Sequence, residues 1–72
     1  MKVKFTTHTE VRLNERGISF DRVIQTVKSP DKQKFTPAGA EAIKSFSTKT
    51  LHVIFKQVKK NECVVITAYY ED

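Results

Sequence analysis

The sequence predicts an α+β domain, with two N-terminal helices laid across one face of a twisted antiparallel sheet of about four strands. Three observations carry this expectation. Capping residues and apolar residues at helical spacing fill the stretch from Thr7 to Ser29. From Lys32 onward the apolar period drops to two. The breaks between the alternating segments are only a few residues long, which suits a meander of antiparallel neighbours.

The elements can be taken in order. "KVKFT" sets Val3 and Phe5 against Lys2 and Lys4, the pattern of a short strand or of an extended arm packed on the domain. Thr7 with Glu10 three residues later reads as a capping box, which starts a helix running from about His8 to Arg16. Gly17 can take the left-handed conformation that ends it, and Ile18 can fold back as the apolar contact beyond the glycine. Ser19 caps a second helix, and Asp21 sits in its first turn, where the helix dipole favours an acid. Phe20, Val23, Ile24 and Val27 form its apolar stripe, and Pro30 stops it.

Strands are expected at Lys32 to Phe35, Glu41 to Phe46, Leu51 to Val58 and Cys63 to Tyr70, separated by "TPAGA", "STKT" and "KKNE". Strict alternation places Val64, Ile66, Ala68 and Tyr70 on one face of the last strand and Cys63, Val65, Thr67 and Tyr69 on the other. With helices covering one face of the sheet, the other is left partly open, and a ligand could lie there.

Composition narrows the classes of function. A chain of 72 residues with 39% hydrophobic content makes one domain with a thin core. The formal net charge of +5 favours a polyanion such as nucleic acid, or simply keeps a small domain soluble. Cys63 is the single cysteine, so no internal disulfide is expected and the thiol reads as a small core residue in a reducing compartment. No apolar run follows "MKVKF", and no stretch nears the roughly 20 apolar residues of a membrane span. The expectation is a cytoplasmic protein that makes no use of a membrane. Glycine-rich phosphate loops, zinc spacing, paired carboxylates and nucleophile elbows are missing from the sequence, so neither cofactor nor metal is expected.

Chemistry-bearing residues cluster at two places. His8, Arg12 and Arg16 are spaced four and four, which stacks them along one side of a helix. Arginine grips phosphate with a planar fork, and histidine exchanges protons near neutral pH. Those are ingredients of metal-free RNA cleavage, which needs a base for the ribose 2′-OH, an acid for the leaving oxygen and cations for the phosphorane. The competing explanation is a solvated helix face in which Glu15 pairs with Arg12. Near the end of the last strand, Thr67 and Tyr69 offer hydroxyls to a phosphate or a base, or else mark a strand reaching the surface. His52 is either a second proton carrier or a surface residue. Lys56 in "KQVKK", and the lysines of "DKQKF", are solvated strand ends or a track for a nucleic-acid backbone.

The stretch "HTEVRLNERGIS", taken with "VVITAYYED", resembles a family of small bacterial proteins, the domain-of-unknown-function 4258 family. Its members open on a histidine, an arginine four residues on and an Arg-Gly-Ile helix break, here His8, Arg12 and Arg16-Gly17-Ile18. They close on a strand ending in threonine and then aromatic or aliphatic residues, here Thr67-Ala68-Tyr69. The residue after the histidine is often alanine in the family and is Thr9 here.

That family is grouped by fold likeness with the RelE, barnase and colicin-type ribonuclease toxins. The resemblance implies a RelE/barnase-like fold and a metal-independent, toxin-like endoribonuclease held in check by a cognate antitoxin or inhibitor protein. It implies His8, Arg12 and Thr67 as the catalytic set and Arg16 and Tyr69 as contacts to RNA phosphate, to which Lys56 of the basic run "KQVKK" is added. The alternatives are a non-catalytic module that binds RNA or an acidic protein, and a homodimer formed through an exposed strand edge.

Overall fold

The computed structural model describes residues 1–37 and 39–71. Its elements are β1 (Lys2–Phe5), α1 (Thr7–Glu15), α2 (Phe20–Lys28), β2 (Lys32–Thr36), β3 (Gly39–Phe46), β4 (Lys49–Lys59) and β5 (Glu62–Glu71). Among the described residues the strands form one sheet in the order β1-β5-β4-β3-β2. The antiparallel meander from β2 to β5 is as expected, but the sheet has a fifth strand and is mixed. "KVKF" is that strand, paired parallel to β5 with Val3 opposite Cys63 and Phe5 opposite Val65. Nothing local in the sequence separates such a pairing from a loose arm, because its partner lies some sixty residues away.

The helix signals act close to where they were expected. The cap of α1 is Thr6 rather than Thr7, and its hydroxyl accepts the Thr9 backbone N–H at 3.1 Å. The expected Thr7–Glu10 box is therefore replaced, with Thr9 in the third helical position. Gly17, at φ +66°, closes α1. Its N–H donates to the Asn14 carbonyl and the Ile18 N–H to the Leu13 carbonyl, while Ile18 and Leu13 both enter the core. Ser19 caps α2 through the Arg22 N–H.

α1 lies against β5, and α2 against β3 and β4. Leu13, Ile18, Val23 and Val27 meet Ala42, Leu51, Val53, Phe55, Cys63, Val65 and Ala68 in a single core. Cys63 is fully buried there, and burial pushes its thiol pKa up. Phe5 and Phe20 stack at 5.1 Å beside that core, joining β1 to the start of α2.

The face assignment expected for β5 is corrected. Ile54 pairs with Thr67, yet the next residue, Phe55, pairs with Val65, so Ile66 is an extra residue in a β-bulge. The bulge reverses the alternation halfway along the strand. Cys63, Val65 and Ala68 are buried toward the helices, while Thr67 and Tyr69 stand opposite Ile54 and His52 on the open face. Without the bulge, Thr67 and Tyr69 would have pointed into the core and Ala68 away from it.

Candidate functional site

The central side chains of the open face come from alternate positions of four strands, as the register dictates. β2 supplies Lys32 and Lys34, β3 Glu41, Ile43 and Ser45, β4 Thr50, His52, Ile54 and Lys56, and β5 Thr67, Tyr69 and Glu71. A groove of about 340 Å³ runs across this face and is lined by residues that include Lys32, Lys34, Ser45, Thr50, His52 and Glu71.

His52 is held from both sides. Its Nδ1 lies 2.8 Å from Oε2 of Glu41, and its Nε2 lies 2.7 Å from Oε1 of Glu71. Tyr69, directly opposite on β5, stacks on the imidazole with ring centroids 4.9 Å apart and planes 2° from parallel. The Tyr69 hydroxyl donates to the same Glu41 oxygen at 3.4 Å. Desolvation of the ring favours its neutral form, but the hydrogen bonds and charges of Glu41 and Glu71 outweigh it. The pKa of His52 is therefore raised above its ordinary 6.5. Tyr69 is raised as well, by burial first and then by the charge and hydrogen bond of Glu41, so its phenol stays a donor.

The charge of this cluster is graded. Glu41 is largely covered, with its side chain 18% exposed, whereas Glu71 is 64% exposed and lies in the groove wall. Because Glu41 and Glu71 hold opposite nitrogens of one ring, the three groups do not converge on a single ion. Among the described residues no cluster of three or more His, Cys, Asp or Glu side chains is arranged to hold a metal ion.

Of the residues singled out from the sequence, Arg16 and Thr67 come together. Nη1 of Arg16 donates to Thr67 Oγ1 at 3.3 Å and to the Ala68 carbonyl at 2.8 Å. Arg16 thus has a folding role as well as a position at the rim of the open face. β1 leaves β5 after Val65, and side chains of α1 and of its C-cap, Arg16, take over that edge. Thr9 donates to the Val65 and Ile66 carbonyls at 3.0 and 3.1 Å, and Arg16 serves Ala68 further on. Tyr69 and Lys56 lie on the open face. His8 and Arg12 are exposed on α1, and among the described residues no hydrogen bond or ion pair joins them to the open face.

Two members of the cluster carry no functional signal of their own in the sequence. Glu41 reads only as a strand residue, and Glu71 lies beyond the last strand expected. The available signal was that Glu41 and His52 both occupy outward positions of consecutive strands. What the sequence withholds is the register, which sets Glu41 opposite Ile54 and Glu71 opposite Thr50, each diagonal to His52.

No helix among the described residues is long and apolar enough to cross a membrane. No curated protein and no solved structure matches the chain significantly. A family model does match, described as "Domain of unknown function (DUF4258)" and spanning residues 5–70, which includes both helices, β2, β3 and β4, and β5 up to Tyr70. The chain belongs to the DUF4258 family.

Proposed function

We propose that the open face is the site of a metal-independent endoribonuclease of the RelE/barnase type. The observation that carries this is the Glu41–His52–Glu71 cluster, whose His52 and Glu71 line a groove that Lys32 and Lys34 also line. A surface built only to hold phosphate gains nothing from carboxylates at its centre, since they repel the ligand. A surface that must move protons needs an acid and a base side by side.

The geometry supports the following roles. Glu41 and the stacked ring of Tyr69 fix the imidazole, and the Nε2–H of protonated His52, bonded to Glu71 in the free protein, turns to the substrate when RNA occupies the groove. Glu71 accepts the proton of the ribose 2′-OH, and the 2′ oxygen attacks phosphorus. The bond from phosphorus to the 5′ oxygen breaks, and that oxygen takes the proton from His52. The products are a 2′,3′-cyclic phosphate and a 5′-OH. Proton return from Glu71 to Nε2, across the 2.7 Å contact, restores both groups. Lys32, Lys34, Lys56 and the Arg16–Thr67 pair supply charge for phosphate binding and for the phosphorane. His8 and Arg12, exposed on α1, stand outside this set of contacts.

The test is cleavage of single-stranded RNA in excess EDTA, with product ends identified by mass. His52→Gln and Glu71→Gln are expected to lower the rate by about 10²–10⁴-fold, the usual range for a positioned acid or base. His8→Ala and Arg12→Ala are expected to change it less than tenfold. If the wild-type protein cleaves no RNA, free or on ribosomes, and its expression leaves growth unaffected, the proposal is wrong.

A second reading has its own support. Both His52 nitrogens are engaged, as they would be in a fixed ion triad that shapes a non-catalytic binding surface for RNA or protein. Salt-sensitive RNA binding without cleavage products, unchanged in His52→Gln, would select it.

A further inference from the structure

β2 forms one edge of the sheet, and all five of its residues are exposed. One side of the strand is hydrogen-bonded to β3, and the other has no strand beside it among the described residues. Its two faces differ sharply. Lys32 and Lys34 point to the open face and line the groove. Phe35 points the other way, opposite buried Ala40, and is 83% exposed. Such an edge is a template for another strand, and proteins usually blunt it with lysine. The lysines are present here, but a phenylalanine left almost bare beside them undoes that protection.

We infer that β2 is the docking edge for an extended, acidic segment of a partner polypeptide, which adds a sixth strand to the sheet. Backbone hydrogen bonds would supply the affinity, and the two faces would supply the selectivity. Carboxylates of the partner meet Lys32 and Lys34, and an apolar side chain of the partner covers Phe35. Charge decides against a second copy of this chain as the occupant. Antiparallel self-pairing of "KQKFT" centred on its middle residue sets Lys34 directly against Lys34, with Lys32 of each copy diagonal to it. Like charges placed directly across a strand pair are destabilising. The net charge of +5 adds repulsion between whole copies and attraction for an acid. Where the groove is the phosphate site, as proposed above, the docked strand also withdraws Lys32 and Lys34 from RNA, so its binding competes with substrate.

The docking itself is tested without RNA. The probe is a nine-residue peptide alternating glutamate with valine, flanked by prolines to prevent its own stacking, titrated into ¹⁵N-labelled protein. Amide shifts and new exchange protection are expected at residues 32–36. The paired substitution K32E/K34E should weaken binding at least tenfold, and Phe35→Ser at least threefold. Both alter exposed side chains, so neither should unfold the domain. Four results would overturn the inference. They are absence of binding, equal binding of a peptide with the same residues in separate Glu and Val blocks, shifts centred on His52 and Tyr69, and concentration-dependent dimerisation of the free protein through β2.

Discussion

Two carboxylates clamp the His52 ring, and that clamp links its charge to the stability of the fold. The folded pKa lies above the ordinary 6.5 expected of the unfolded chain. The imidazolium therefore stabilises the native state fully below about pH 6.5, and this contribution is lost as pH rises through the folded pKa. The urea midpoint should fall as pH rises from about 6.5 through the folded pKa, and it should be flatter over that rise in His52→Gln. Glu41→Gln should lower the His52 pKa followed by NMR titration, because it removes a charge and a charged acceptor at 2.8 Å. An unmoved titration would show that the 2.8 Å contact is absent in solution. Thr9 is the second residue with a sharp expectation. Its buried hydroxyl serves the Val65 and Ile66 carbonyls at the point where β1 ends. Thr9→Ala leaves both without that donor and should cost about 1–2 kcal/mol by chemical denaturation. In a chain this small, that is a large share of the stability to be expected.

At the scale of elements, the two glycines do different work, and the same substitution tells them apart. Gly17 sits at φ +66° with nothing within 4 Å of an added Cβ, so Gly17→Ala carries backbone strain alone, about 1 kcal/mol. Gly39, at φ +143°, opens β3, and an added Cβ would lie 2.5 Å from the Phe55 carbonyl oxygen. Gly39→Ala must move backbone on β4 as well as strain its own, so it should cost more than Gly17→Ala, about 2–4 kcal/mol. Equal costs in equilibrium denaturation would contradict this packing. The contrast also marks what a sequence can reveal of a fold. Gly17, Ser19 and Pro30 punctuate helices through bonds a few residues long, so both helices were legible. The parallel pairing of β1 and the bulge at Ile66 depend on distant partners, and a single extra residue was enough to exchange the faces of Thr67 and Ala68. Gly39 looked like part of a loop because its neighbour Phe55 is brought to it only by the β3–β4 pairing.

Over the whole molecule, the excess positive charge was plain from composition, but its placement was not. The sequence pointed to a row of cations on α1. Tertiary structure divides that row, turning Arg16 to the β5 edge and leaving His8 and Arg12 exposed, and it gathers Lys32, Lys34 and Lys56 from separate strands onto one face. Salt dependence of RNA binding separates the two surfaces. Each phosphate neutralised on a single strand contributes about −0.7 to the slope of log affinity against log salt. Lys32, Lys34, Lys56 and Arg16 acting together give a slope near −3, so affinity for a short single-stranded RNA should fall roughly fiftyfold between about 50 and 200 mM salt. Replacing any one of the three lysines by alanine should make the slope shallower by about 0.7, whereas Arg12→Ala should leave it unchanged. Were Arg12→Ala to flatten the slope while the lysine variants did not, the RNA would lie along α1 and not across the open sheet.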